Sequence, residues 1–185
     1  MPRKITYSRE KIVELTFDLL RKEGIHSLSA RNIGKKLGMS SMIIYSNFQN
    51  MDELLDLLLQ KSKKLLVEYQ MKKYSPYKIF NTGFGYIQFA LSEKILFKWM
   101  FQEENGIKQF WKYLFDDMYE EIFPELENVV GKGSSKKKLY SIFEDLWIYV
   151  HGFAMLLNSK TLVIDDEKII EQKLMALFQN LTGIS

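Results

Sequence analysis

The stretch Ser29-Ala30-Arg31-Asn32-Ile33-Gly34-Lys35-Lys36-Leu37-Gly38-Met39-Ser40-Ser41-Met42-Ile43-Ile44-Tyr45-Ser46-Asn47-Phe48 decides how this sequence folds. Ser29 is placed to cap a short helix ending near Leu37, Gly38 suits a left-handed helix end, and Ser40 precedes a second short helix over Ser41 to Phe48. Gly34, Leu37, Gly38, Met39 and Ile44 are the small and apolar residues that two helices need where they cross at a sharp turn. A plain helical hairpin meets the same demands, so the outer face of the second helix has to separate it from a helix-turn-helix that seats in the major groove of duplex DNA. That face offers Ser40, Ser41, Met42, Tyr45, Ser46 and Asn47, with no acidic residue among them. Hydroxyls and phenols fix phosphates, Asn can read adenine, and an apolar side chain can meet a thymine methyl. Arg31, early in the preceding helix, is within reach of a phosphate or a guanine, and Arg3 and Lys4 form a basic arm.

Upstream, Ser8 can cap a helix whose apolar residues Ile12, Leu15 and Leu19 recur at helical spacing, widened by Val13, Phe17 and Leu20 and ended by Gly24. Downstream, Asn50 can cap a long helix reaching about Tyr74, with Asp52 and Glu53 in its first turn, where the helix dipole favours carboxylates. Ser75-Pro76 interrupts, and helices follow over about Tyr77 to Leu91, Glu93 to Glu104, and a further segment ending near Pro124. Residues 132–138 read as an exposed loop. Two helices, about Lys136 to Asn158 and Asp166 to Leu181, close the chain. About nine helices and no strand make the expected fold class all-α.

Composition agrees with this reading and removes several functions. With 10 Gly and 3 Pro in 185 residues, and 14% aromatic content, the chain suits long helices better than a many-stranded sandwich. The absence of cysteine excludes disulfides, thiolate metal sites and cysteine nucleophiles, and fits a cytoplasmic protein. No apolar run approaches a membrane span. Residues 1–50 carry nine Lys/Arg against four Asp/Glu, and the remainder seventeen against nineteen, so the basic excess lies at the end that holds the helix pair.

His26 and His151 are too far apart in sequence, and too poor in companions, to suggest a metal site, and His151 reads as a hydrogen-bonded residue of a helix packing face. The pairs Glu103-Glu104, Asp116-Asp117 and Glu120-Glu121 point to different helix faces and read as solvated surface. Gly83 and Gly85 lack the strand and third glycine of a nucleotide loop. No catalytic residues, metal ligands or cofactors are expected. A helical enzyme or carrier would need a nucleophile and base or a cofactor loop, which cannot be assembled here. A protein-interaction adaptor would lack affinity for DNA.

Lys11-Ile12-Val13-Glu14-Leu15, Gly24, Ser27-Leu28-Ser29-Ala30-Arg31-Asn32-Ile33, Leu37-Gly38-Met39-Ser40, Ile44-Tyr45, Phe48 and Glu53-Leu54-Leu55 together resemble the N-terminal signature of the TetR family of repressors. The resemblance covers about residues 8–58. It departs at Gly34, where the family usually has alanine, and at Met51, where a lysine commonly touches the DNA backbone; Met51 is therefore not counted among the DNA ligands. Trp147, His151 and Gly152 resemble a motif in the penultimate helix of some members.

The resemblance implies a helix-turn-helix domain at residues 1–50, a connecting helix at 50–74, and a helical ligand-binding and dimerisation domain at 75–185. It also implies a homodimer on a near-palindromic operator, released by a small, largely apolar effector. The expected DNA contacts are Lys4, Arg31, Ser40, Ser41, Met42, Tyr45, Ser46 and Asn47. From the aromatic run, Phe84, Phe89, Phe97, Phe110, Trp111 and Tyr149 are candidate ligand contacts. The dimer is expected to form through Leu139, Ile142, Leu146, Val150 and Leu157 and the apolar face from Ile170 to Leu181.

Overall fold

A computed structural model describes residues 7–102 and 119–183. Within them the chain is helical throughout and contains no strand: α1 (Arg9–Glu23), α2 (Ala30–Lys36), α3 (Met42–Asn47), α4 (Met51–Gln70), α5 (Lys78–Ser92), α6 (Lys94–Gln102), α7 (119–130), α8 (Lys136–Asn158) and α9 (Glu167–Thr182). A single 3-10 turn, Ile25–Ser27, joins α1 to the segment before α2.

Side chains close the helix starts that the sequence marks. Ser8 accepts from the Lys11 N–H, Ser29 from Asn32, Asn50 from Glu53, Ser135 from Lys138 and Asp166 from Lys168. Each such cap satisfies one backbone donor left over at a helix start and is worth about 1 kcal/mol. α5 begins differently, because its cap position, Tyr77, supplies no side-chain acceptor. Glu125 of α7 fills that role, one carboxylate oxygen accepting from the Lys78 N–H and the other from the Ile79 N–H, each at 2.5 Å.

α5 is apolar on nearly every side, the pattern of a helix enclosed by others. It packs against α4, α6, α8 and α9, and Phe80, Phe84, Tyr86, Ile87 and Phe89 are all buried. One core cluster runs from Ile12 of α1 through Leu54 and Leu66 of α4 to Leu174 of α9, and a second joins Ile79, Ile122, Leu126, Leu139, Phe143 and Phe178. Burying each of these large side chains contributes roughly 1.5–3 kcal/mol.

Two helix ends differ from the sequence reading. α4 stops at Gln70 instead of near Tyr74, and the turn that follows has its own fastening. Asn81 accepts from the N–H groups of Tyr74 (3.1 Å) and Ser75 (2.7 Å) and donates to the Ser75 carbonyl (3.0 Å). The helix expected to end near Pro124 continues to residue 130, because Ile122 and Leu126 are buried against α8 residues while Pro124 faces outward. The expected end of α6 near Glu104, the interruption at Asn105-Gly106 and the residues Phe110 and Trp111 lie outside the described residues.

Candidate nucleic-acid interface and interior cavity

α3 is only six residues long, and its placement depends on the turn before it. The Met39 N–H bonds the Gly34 carbonyl at 2.8 Å and the Gly38 N–H bonds Lys35 at 3.2 Å, a helix end that needs the left-handed φ of 69° found at Gly38. A Cβ on Gly34 would stand 2.8 Å from the Ser40 carbonyl carbon and 2.9 Å from the Ser41 nitrogen. Glycine at this position thus lets α2 touch the backbone that leads into α3. Ile43 and Ile44 are buried on the inner side of α3, and Phe48 closes the exit beneath the guanidinium of Arg9. Glu53 accepts from Arg9 and also from the Gln49 N–H at 2.6 Å, so α1, the α3 exit and α4 meet at one carboxylate.

The outer side of α3 carries Met42, 68% exposed, and Tyr45, 58% exposed, with Ser40, Ser41 and Ser46 also in solvent. Arg31 projects from the exposed side of α2. Asn47 differs from these: it is half-buried, and its amide nitrogen donates to the Ile43 carbonyl at 2.8 Å. Ser46 Oγ donates to the same carbonyl at 3.2 Å and remains exposed. Lys4 lies outside the described residues. Met51 is half-buried against the core.

An apolar cavity lies between α5, α7, α8 and α9, with Phe80, Tyr86, Ile122, Phe143, Trp147 and Phe178 on its walls. Its volume is about 40 Å³, far below the roughly 300 Å³ at which ligand pockets begin. Phe84, Phe89 and Phe97 are buried in the neighbouring core and are not on these walls, while Tyr149 is on the outer face of α8. Phe80 and Phe84 illustrate the distinction, since they stack at 5.7 Å on consecutive turns of α5 yet only Phe80 reaches the cavity.

Beside the cavity the Tyr86 hydroxyl meets His151 Nδ1 at 2.9 Å, and the imidazole stacks on Trp147 at 5.1 Å. Burial pushes the Tyr86 hydroxyl well above its usual range and lowers His151 to about 4, so a neutral phenol and a neutral imidazole share this hydrogen bond. Phe97 and Phe101 of α6 pack edge-on against Tyr86. α6 in turn is fixed to α1 by Arg21, which bonds both oxygens of Glu93 at 2.9 and 2.5 Å. That carboxylate raises the Arg21 pKa through the hydrogen bond.

The apolar residues expected at a dimer contact are used inside the chain. Leu139, Ile142, Leu146, Val150 and Leu157 are buried, as are Ile170, Leu174 and Phe178. An intramolecular core claims the most regular stripe first. The opposite face of α8 bears Ile148 (57% exposed), Tyr149, Gly152 and Leu156 (44% exposed), bordered by Leu162 and Lys173. A Cβ on Gly152 would meet nothing within 4 Å. The sequence signal for this face was the glycine itself, which costs about 1 kcal/mol in a helix interior.

A short helix with a polar outer face, presented by a glycine turn against a supporting helix, has the geometry of a helix-turn-helix, the arrangement that seats a helix in the major groove of DNA. Residues 12–58 match the family described as "Bacterial regulatory proteins, tetR family". HTH-type transcriptional regulators of Staphylococcus aureus strains USA300 and NCTC 8325 / PS 47 are each 22% identical to this chain over 151 residues, 77% of its length and 81% of theirs. The crystal structure of a TetR-like transcriptional regulator from Rhodococcus sp. RHA1 superposes with a TM-score of 0.65 at 17% identity, covering 98% of this chain and all of that one. Residues 12–58 thus carry the N-terminal module of the tetR family, and the whole chain shares the fold of a TetR-like regulator. Among the described residues no helix is long and apolar enough to cross a membrane, and no cluster of three or more His, Asp or Glu could hold a metal ion.

Proposed function

We propose that this protein is a homodimeric repressor whose operator is released when a small, largely apolar ligand enters the cavity beside Tyr86. The observation that carries the coupling is the contact between α4 and α5. A Cβ on Gly85 would lie 2.6 Å from the Tyr69 carbonyl carbon and 2.7 Å from Gln70 Cα, so the two backbones touch. α4 starts at the α3 exit and ends on this contact about 30 Å away, and α5 lines the cavity one residue further on, at Tyr86. One rigid helix therefore meets both the DNA-reading pair and the ligand site.

A cavity of about 40 Å³ cannot take a ligand without moving its walls. Entry has to displace α5, α7 or α8 side chains, which is the differential interaction a two-state switch requires. α6 offers a second connection, through Phe97 and Phe101 at Tyr86 and through Glu93 at Arg21. In the dimer, the exposed α8 face around Gly152 would meet its own copy across a two-fold axis, setting the spacing of two α3 helices. Arg31, Ser40, Ser41, Met42, Tyr45 and Ser46 are the proposed DNA contacts, with Lys4 in the N-terminal arm. Asn47 contributes through its remaining amide oxygen.

Selection of bound fragments from random duplex DNA tests the DNA-reading half. A near-palindromic consensus with half-sites about 34 Å apart is expected. Failure to enrich any sequence over non-specific binding would overturn it.

A further inference from the structure

The corner between α5 and α6 is held from two sides. Glu93 belongs to both helices, since its N–H bonds the Phe89 carbonyl and its carbonyl accepts from the Phe97 N–H, each at 2.8 Å. From α1, Arg21 grips the Glu93 carboxylate with two guanidinium nitrogens, at 2.9 and 2.5 Å. Gly24, just beyond α1, sits where a Cβ would stand 3.6 Å from Ile95 Cγ2. From α8, the Asn158 amide nitrogen donates to the Ala90 carbonyl at 2.9 Å and to the Lys94 carbonyl at 3.2 Å. Ala90 is in the last turn of α5, where carbonyls lack a donor within the helix. At the other end of α6, the Gln102 amide donates to Met155 Sδ of α8 at 3.4 Å. Between Met155 and Asn158 in the chain stands Leu156, on the exposed face of α8.

We infer that Arg21, Glu93 and Asn158 are positioning residues, through which the dimer-forming face of α8 fixes the angle of each recognition unit and so the half-site spacing that the protein accepts. The inference rests on the homodimer proposed above and assigns residues that set its operator geometry. The recognition unit is continuous with the rest of the chain through α4 alone, and a unit held by one helix is free to swing about it. Arg21 is a second point of attachment, and it belongs to α1, inside the unit itself. An exposed ion pair adds little stability. What this one supplies is geometry, because a bidentate fork fixes direction as well as distance. The contacts run from α8 through Asn158 to the corner carbonyls, and from the Glu93 carboxylate to α1, without passing through the α4 contact at Gly85.

The test uses the full chain and the operator recovered by selection, rebuilt with its half-sites one or two base pairs closer together or farther apart. One base pair shifts a half-site about 3.4 Å along the duplex and turns it by about a tenth of a revolution, so a rigid dimer discriminates between spacings. Fluorescence anisotropy on each duplex, and on one carrying a single half-site, is compared for the parent, Asn158→Ala, Glu93→Ala and Arg21→Gln. The parent is expected to lose about tenfold in affinity per base pair added or removed, and each variant about threefold or less. Single half-site affinity and the sedimentation of the dimer should stay unchanged. Arg21→Gln, at an exposed side chain, carries the test if either other variant loses helical signal. Variants as steep as the parent, or weaker by one factor on every duplex including the single half-site, overturn the inference and leave the dimeric regulator standing. A parent dimer indifferent to spacing does the same. A parent that sediments as a monomer and binds one half-site as tightly as two overturns the dimer reading as well.

Discussion

Gly85 lies against the Tyr69 carbonyl carbon so closely that a Cβ would come within 2.6 Å of it. This backbone contact joins the end of α4 to the middle of α5, next to Tyr86 on the wall of the cavity. It predicts that Gly85→Ala is not the mild helix-stabilising change it would be on a free helix. Overpacking at a backbone contact costs about 1–3 kcal/mol. Urea unfolding should show that loss, and operator affinity should change with it because α4 has to shift; an unchanged midpoint and unchanged affinity would mean that the contact is slack.

The DNA-reading face separates by the kind of contact. Tyr45→Ala and Arg31→Ala should each weaken operator binding with the helical fold intact, since both side chains are exposed and leave the core untouched. A lost phosphate contact lowers affinity for all sequences and reduces the salt slope by about 1, whereas a lost base contact costs about 1–3 kcal/mol at one position of the site. Titrations at several salt concentrations on matched and mismatched duplexes assign each residue to one of the two classes.

How much of this was visible in the sequence depends on the range of the interaction. Caps at Ser8, Ser29, Asn50 and Asp166, and the turn at Gly38, are local events between residues within a few positions, and they read directly. Asn47 did not, although its partner is only four residues away, because an amide at a helix end can face solvent or turn back to a carbonyl of its own helix, here Ile43, and the sequence pattern is the same for both. The abundance of aromatics announced a large core, but whether Phe80 or Phe84 faces the cavity is settled by α7, α8 and α9, which are distant in sequence. The apolar stripes of α8 and α9 were legible as faces, though not which partner each face would find. Gly34 could be seen to depart from alanine, and only the backbone of Ser40 and Ser41 explains it.

His151 makes the fold sensitive to acid. Its pKa, lowered by burial from 6.5 to about 4, means that the unfolded chain binds this proton more readily than the folded one. The stabilisation from keeping the ring neutral is present above about pH 6.5 and is lost progressively down to about pH 4, each unit being worth about 1.4 kcal/mol. Thermal unfolding of His151→Gln should therefore depend less on pH across this window than the parent chain. Parallel curves would assign the acid sensitivity elsewhere.

The exposed α8 face gives a separate prediction for assembly. Ile148→Glu with Leu156→Glu places charges on residues that touch no core, so the chain should stay folded while sedimentation at micromolar concentration shifts from dimer to monomer. Operator binding should fall with it, because two half-sites need two copies. A dimer that survives both substitutions would move the interface to another surface.

The central claim is that ligand and operator bind two arrangements of one molecule, and reciprocity tests it most directly. Operator affinity is measured with and without a saturating effector, and effector affinity with and without saturating operator. The account predicts that both affinities fall by the same factor, in the range of about 5 to 150. An effector that raises the melting temperature yet leaves operator affinity unchanged would contradict it.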